Sequence, residues 1–344
     1  MTSPESAPFD ADDTAAIRER LARHLAGRYG DLEIVEGPDR YPGGLDTYVY
    51  AVRCAGSLPP EWAAPLVLRV YPTLEQAGKA EREAAIQAFV ADRGFPAPRP
   101  LLVDPGEALG LPLMIMERAP GSQAIDAFKN PLKLRATIRK MASLQARLHA
   151  LPIEGCPIAY HPPLVERMLD EPRSLVSRFR SPGLEAPLAW LESHAGLVCD
   201  EESALLHNDF HPLNIMLDGE RLTLLDWPDA AVGDRHCDVG RTLALFWLAA
   251  PLERSFAGRT VLGMLRRYIV PLYLREYRKH KPLVDTRLRY WETLHAFKAW
   301  AQISVLHREG EAALGAREGA AVEVPAVMIP ALEAYVRKRI ALLG

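Results

Sequence analysis

Cysteine is scarce in this chain and long apolar runs are missing, and each shortage narrows what the protein can be. The four cysteines, Cys54, Cys156, Cys199 and Cys237, stand far apart with no Cys-x-x-Cys pair. That spacing argues against a disulfide framework or a zinc knuckle and points to reduced thiols. The longest apolar run, Leu243 to Leu252, is too short to span a bilayer and contains Pro251. Charge of either sign is in no excess: 41 Lys and Arg balance 44 Asp and Glu, for a net charge of -3. Without a run of basic residues, the chain has no electrostatic footprint for nucleic acid. The opening Met1-Thr2-Ser3-Pro4-Glu5 lacks the basic-then-apolar order of a signal peptide. We therefore expect a cytoplasmic protein that binds neither nucleic acid nor membrane; its oligomeric state is left open. Two chemical signatures are absent as well, the phosphate-binding Gly-x-x-x-x-Gly-Lys-Ser/Thr and the zinc-binding His-Glu-x-x-His.

What is present fills 344 residues, enough for two lobes. Residues 1–12 are polar and expected to be disordered. Ile17, Leu21 and Leu25 then recur at helical spacing over Asp13 to Tyr29. Three β-like runs follow, Leu32 to Val35, Tyr48 to Arg53 and Leu66 to Tyr71. A helix over Leu74 to Asp92 and two more strands, Pro100 to Val103 and Leu113 to Glu117, complete a small sheet carrying one helix. From Gly121 the pattern turns helical. Leu134, Ile138, Met141, Leu144, Leu148 and Leu151 form one stripe, and later helices are expected over Val239 to Leu248, Arg259 to Tyr277, Thr286 to His307 and Pro330 to Leu343.

The chemistry concentrates in His207-Asn208-Asp209-Phe210-His211-Pro212-Leu213-Asn214 and, twelve residues later, Asp226-Trp227. Ile215-Met216-Leu217 and Leu222-Thr223-Leu224-Leu225 flank Asp218-Gly219, the pattern of a short hairpin that joins Asn214 to Asp226. An Asp can take a proton from a hydroxyl, while an Asn oxygen and a second Asp hold Mg²⁺ against nucleotide phosphates. The same residues allow another reading. His207, Asp209 and His211 alternate and, with His236 and Asp238, could bind zinc in a hydrolase. Arg69 interrupts the apolar strand Pro65 to Tyr71 and needs an anionic partner; Glu83, on the packed face of the next helix, is the candidate. Gly43-Gly44 lies where backbone amides could approach a phosphate. Asp229, Asp234 and an aromatic group, Tyr290, Trp291, Phe297 and Trp300, could serve an acceptor, although aromatics at helical spacing are more often core. His149, at the end of its helix, is read as structural.

Taken together these segments resemble the aminoglycoside phosphotransferase and choline kinase-like family. The strongest matches are His207-x-Asp209-x-x-x-x-Asn214, Asp226-Trp227 and Gly233-Asp234-x-x-x-Asp238-Val239-Gly240. The resemblance implies an α+β, protein-kinase-like two-lobe fold, with a small antiparallel-sheet N-lobe (1–117) and a larger, mainly helical C-lobe (118–344). It implies an enzyme that moves phosphate from ATP (or GTP) with Mg²⁺ to a hydroxyl of a small molecule, aminoglycoside-like, sugar or amino alcohol. Asp209 would be the base, Asn214 and Asp226 the metal ligands, and Arg69 with Glu83 the phosphate contact. Gly43 and Gly44 would line the nucleotide, and the backbone around Met116, Glu117 and Arg118 would read its base. Asp238 would brace the catalytic loop. Asn208 stands where the family usually has Gly. A kinase-fold regulator without turnover is the rival outcome.

Overall fold

The computed structural model describes residues 9–30, 32–42, 47–56, 59–158, 163–180, 183–198, 202–310 and 324–343. Gly43, Gly44 and the expected disorder of residues 1–8 lie outside them. The chain divides into two compact units, one of residues 1–120 with 223–228, the other of residues 121–222 and 229–344.

In the first unit, helix α1 (Thr14–Tyr29) starts where the Asp13 carboxylate accepts the Ala16 amide at 2.9 Å, an N-cap that replaces a missing helical partner. Strands β1 (Glu33–Arg40), β2 (Tyr48–Ala55), β3 (Leu66–Val70), β4 (Pro100–Asp104) and β5 (Leu113–Glu117) form one antiparallel sheet in the order β1-β2-β3-β5-β4. The period-two pattern sorts its faces. Leu66, Leu68 and Val70 pack with Ile17, Leu21 and Leu25 of α1. On the other face, Tyr71 and Met114 meet Ala80 and Ala84 of helix α2 (Ala77–Asp92). Arg69 emerges on that second face, beneath α2. Residues 9–12 depart from the disorder expected of them. The Phe9 ring lies 5.4 Å from that of Tyr48, and the Tyr50 hydroxyl donates to the Ala11 carbonyl at 2.8 Å.

The second unit opens with the two-residue strand β6 (Ser122–Gln123) and helix α3 (Pro131–Leu148). Two helices that the sequence pattern did not suggest follow, α4 (Leu164–Phe179) and α5 (Glu185–Ser193). Pro172 inside α4 masks its helical period, yet the residue lies buried with Leu169 and Val176. Strand β7 (Ser203–Leu206) runs into the segment His207 to Asn214, and β8 (Ile215–Asp218) and β9 (Arg221–Leu224) flank Gly219 at φ 56. That left-handed turn is what an Asp-Gly pair supplies. β10 (Ala231–Asp234) pairs antiparallel with β7. Helices α6 (Arg235–Leu252), α7 (Phe256–Tyr277), α8 (Asp285–Glu309) and α9 (Met328–Ala341) complete the unit. Tyr290, Trp291, Phe297 and Trp300 of α8 are all buried in the core it shares with α4, α5, α6 and α9. Among the described residues, no helix is long and apolar enough to cross a membrane.

The packing of α6 on α8 depends on Gly240. A Cβ there would lie 2.8 Å from the Glu292 amide nitrogen and 2.8 Å from the Trp291 Cβ, closer than these atoms can approach. Gly240→Ala should therefore destabilise the protein by about 1–3 kcal/mol, the usual cost of overpacking. A lowered thermal unfolding midpoint would show it, and an unchanged midpoint would mean that the helices yield.

Candidate active site

Each unit carries one half of the candidate chemistry. In the first, the sheet pushes the Arg69 guanidinium into a buried position under α2, where it pairs with Glu83 and reaches Asp226 Oδ1 at 3.1 Å. Glu83 also accepts the Tyr71 hydroxyl at 2.8 Å and the Trp227 amide at 3.3 Å. Burial alone would lower the Arg69 pKa, but Glu83 and then Asp226 outweigh it and hold the guanidinium charged. Burial, with Glu83 nearby, drives the Tyr71 phenol well up, so it stays a neutral donor. The Asp226 backbone is left-handed, φ 65, and the fully buried Trp227 keeps it there, its ring edge-on to Phe95 at 5.9 Å. The Asp226 side chain stays 41% exposed, free to take a ligand.

In the second unit, the loop after β7 presents Asp209. Its Oδ2 accepts from His211 Nε2 at 3.1 Å and from Asn214 Nδ2 at 2.9 Å, and Arg241 Nη2 lies 3.5 Å from its Oδ1. Burial would raise the Asp209 pKa, but the His211 hydrogen bond and charge, then Arg241 and His207, press it below the ordinary carboxylate range. Asp209 is therefore ionised at neutral pH. Asn214 Nδ2 donates to the Asp209 carbonyl as well, at 3.1 Å. With its nitrogen so occupied, the amide has its oxygen left to coordinate.

Asp238, at the first turn of α6 and fully buried, holds this loop from behind. It accepts the backbone amides of Asn208 at 2.6 Å and His207 at 3.2 Å, and His149 Nε2 at 2.9 Å. His149 Nδ1 in turn meets the Tyr277 hydroxyl at 2.6 Å. Asn208 sits at φ 60 and so adopts the left-handed backbone that glycine favours and asparagine tolerates. Its amide nitrogen donates to the Asp229 carbonyl at 3.1 Å. Asparagine thus accommodates this turn and adds an anchor. A second brace went unread in the sequence. Tyr273 donates to Gln145 at 2.5 Å, Gln145 to Thr242 at 3.1 Å, and Thr242 to the Phe210 carbonyl at 3.0 Å. A polar Gln145 on the buried face of α3 was its one visible sign.

Met116 and Glu117 end β5, and Arg118 follows it. The amide of Glu117 goes to the Arg99 carbonyl and that of Arg118 to the Pro65 carbonyl, 2.9 and 3.0 Å. The Glu117 carboxylate accepts the Arg99 amide at 2.9 Å, and Gln87 Nε2 lies 3.2 Å from the Met116 sulfur. The residues of the zinc reading do not converge. His236 is bonded to Asp234 at 2.5 Å and accepts the Val284 amide at 2.9 Å, and Asp238 is committed to the loop. Among the described residues, this set forms no metal-ligating cluster. The Asn214 oxygen and the exposed Asp226 carboxylate are hard donors of the kind Mg²⁺ selects, so they fit that ion by chemistry.

Comparison with known proteins bears on these residues. A model described as the phosphotransferase enzyme family matches residues 39–283. An aminoglycoside 3'-phosphotransferase of Streptomyces fradiae is 26% identical over 215 residues, 57% of this chain and 75% of that protein. Among solved structures, a mutant of the aminoglycoside phosphotransferase APH(4)-Ia in ternary complex with ADP and hygromycin B superposes with a TM-score of 0.58 at 17% identity, covering 92% of this chain and 98% of that one. A choline/ethanolamine kinase family protein of Mesorhizobium loti gives 0.59 at 17% identity, with 94% and 93% covered. The fold is thus the kinase-like, two-lobe α+β fold of these proteins.

Folding lowers the Asp238 pKa; burial opposes this, but the hydrogen bonds and charges of His149 and His207 prevail. Its contribution to stability is complete above the ~3.9 of an unfolded Asp and is lost as pH falls toward the lower folded value. Denaturant unfolding followed from pH 6 down to 3 should show stability falling below about pH 4. Asp238→Asn should cost about 1–3 kcal/mol near neutrality and flatten that decline; an equally steep decline in the variant would assign it to other carboxylates.

Proposed function

Because this chain belongs to the phosphotransferase enzyme family, its model matching residues 39–283, we propose that it transfers the terminal phosphoryl group of Mg-bound ATP (or GTP) to a hydroxyl of a small molecule. The observation that carries this reading is the pair of hydrogen bonds from the Asn214 amide to Asp209. They tie a base to a metal-binding oxygen, so the acceptor side and the phosphate side of the reaction share one rigid loop.

Mg²⁺, when bound by Asn214 and Asp226, would draw charge off the phosphate oxygens. Arg69, kept charged by Glu83, adds a fixed cation for phosphate. Asp209 orients the acceptor hydroxyl. As the acceptor oxygen bonds to the terminal phosphorus and the bond to the departing nucleoside diphosphate breaks, the hydroxyl proton passes to Asp209. A carboxylate with so low a pKa is a weak base, which suits a loose transition state where the proton leaves late. Its larger task is position, and His211 and Asn214 restrict its rotation.

A regulator without turnover would need none of this order around Asp209. Asp209→Asn should lower kcat by roughly 10²–10⁴-fold while Mg-nucleotide binding, read by calorimetry, stays within a few-fold. Full turnover in that variant would remove Asp209 from the mechanism. Asp226→Ala should instead weaken Mg-dependent nucleotide binding, and unchanged binding would remove Asp226 as a ligand.

A further inference from the structure

The charge that the acceptor must bring can be read from what already occupies the second unit. Of the provisions for a cationic acceptor, Asp234 and the aromatic group are used up by the fold, while Asp229 stays exposed. Asp234 is 3% exposed and spends both oxygens on protein, accepting the His236 amide and ring at 3.0 and 2.5 Å and Trp291 Nε1 at 2.9 Å. Tyr290, Trp291 and Trp300 are 0%, 0% and 2% exposed, so they offer no open ring faces for a quaternary ammonium. The Tyr290 hydroxyl is taken too, by the Leu191 carbonyl at 2.8 Å.

Directly beside Asp209 stands a cation. Arg241, on α6, comes no closer than 3.5 Å to Asp209 Oδ1, which is its single hydrogen-bond partner among the described residues. A guanidinium has five N–H donors in a planar fork. This one is only 21% exposed, so most of its surface has left bulk water with little in exchange. Lys298, on α8, adds to the same field but is paired with Glu171 at 2.6 Å. The buried His295 imidazole, pushed well down by burial and then by Arg241 and Lys298, stays neutral and offers no compensating charge. Arg241 is thus a cation with spare donors beside the base.

We propose that Arg241 binds an anionic group, carboxylate or phosphate, of the acceptor, and so holds the neighbouring hydroxyl on Asp209. This rests on the phosphotransfer reading and narrows its acceptor from any hydroxyl compound to a hydroxy acid or a phosphorylated alcohol. Arg241 lies 3.5 Å from Asp209 Oδ1. An arriving anion takes up the donors that Asp209 leaves unused, and a polycation at the same place would meet Arg241 as a like charge.

The test uses the full chain and a set of hydroxyl compounds differing in charge: glycerol, glycerate, glycerol 3-phosphate, choline and an aminoglycoside. Each is titrated calorimetrically in the presence of Mg²⁺ and a non-hydrolysable ATP analogue. Glycerate or glycerol 3-phosphate should bind at least about tenfold tighter than glycerol or choline, and which of the two leads tells carboxylate from phosphate. Arg241→Ala should erase that advantage, a loss of roughly 10–100-fold for a charge-assisted contact, while Arg241→Lys restores part of it. Equal binding of all probes, tighter binding of choline or the aminoglycoside, or an unaltered anion titration in Arg241→Ala overturns the inference. So does a loss of the same size in affinity for the nucleotide analogue, which would make Arg241 a nucleotide contact. Arg241-dependent anion binding with no phosphate transferred from Mg-ATP would overturn the phosphotransfer reading and leave the anion site standing.

Discussion

A carboxylate taken out of water loses several kcal/mol of hydration, and only charge-assisted hydrogen bonds replace it. Glu83 and Asp238 are 1% and 0% exposed, and each recovers that loss from three donors. The donors are chosen alike. Glu83 takes the amide of Trp227, next in chain to Asp226, and Asp238 takes the amide of Asn208, the residue before Asp209. In both units a buried carboxylate grips the backbone one residue away from an accessible one. The buried group supplies rigidity, and the accessible group beside it is the one held in position.

Backbone strain falls at these same points. Asn208 and Asp226 are two of the three non-glycine residues with positive φ among the described residues. A side chain in the left-handed region costs on the order of 1–2 kcal/mol. Such conformations persist only where neighbours over-determine them, and here the neighbours are Asp238 and the Asp229 carbonyl in one case, Glu83 and the buried Trp227 in the other. The hydrogen bonds account for why Asp209 and Asp226 can be aimed at all.

Local pattern carried much of this. The apolar alternation of Leu66 to Val70, broken by Arg69, revealed both the strand and the odd charge, and the helical face of Glu83 revealed its partner. The Asp-Gly turn marked the hairpin joining Asn214 to Asp226. Long-range pairings were not legible: His149 looked like a helix-end residue because its partners, Asp238 and Tyr277, are 89 and 128 residues away. The aromatics of α8 were readable as core or as ligand wall, and only packing decides between them. Arg241 gave no local sign, since a single Arg on an apolar helix is read as solvated until the fold sets it beside Asp209. Helix α4 escaped because Pro172 interrupts a period that tertiary packing then restores.

The first unit is not continuous in sequence; Thr223–Pro228 returns to it after Gly121–Leu222 have been built into the second. Synthesis from the N-terminus therefore delivers Arg69 and Glu83 long before Trp227 and Asp226. Until that last segment arrives, Glu83 lacks the Trp227 amide and Arg69 lacks its second carboxylate. Maturation of the first unit thus waits on translation of the second unit through Leu222 and of the segment that follows it. Cutting the chain after Pro120 would release a first unit missing its own final segment.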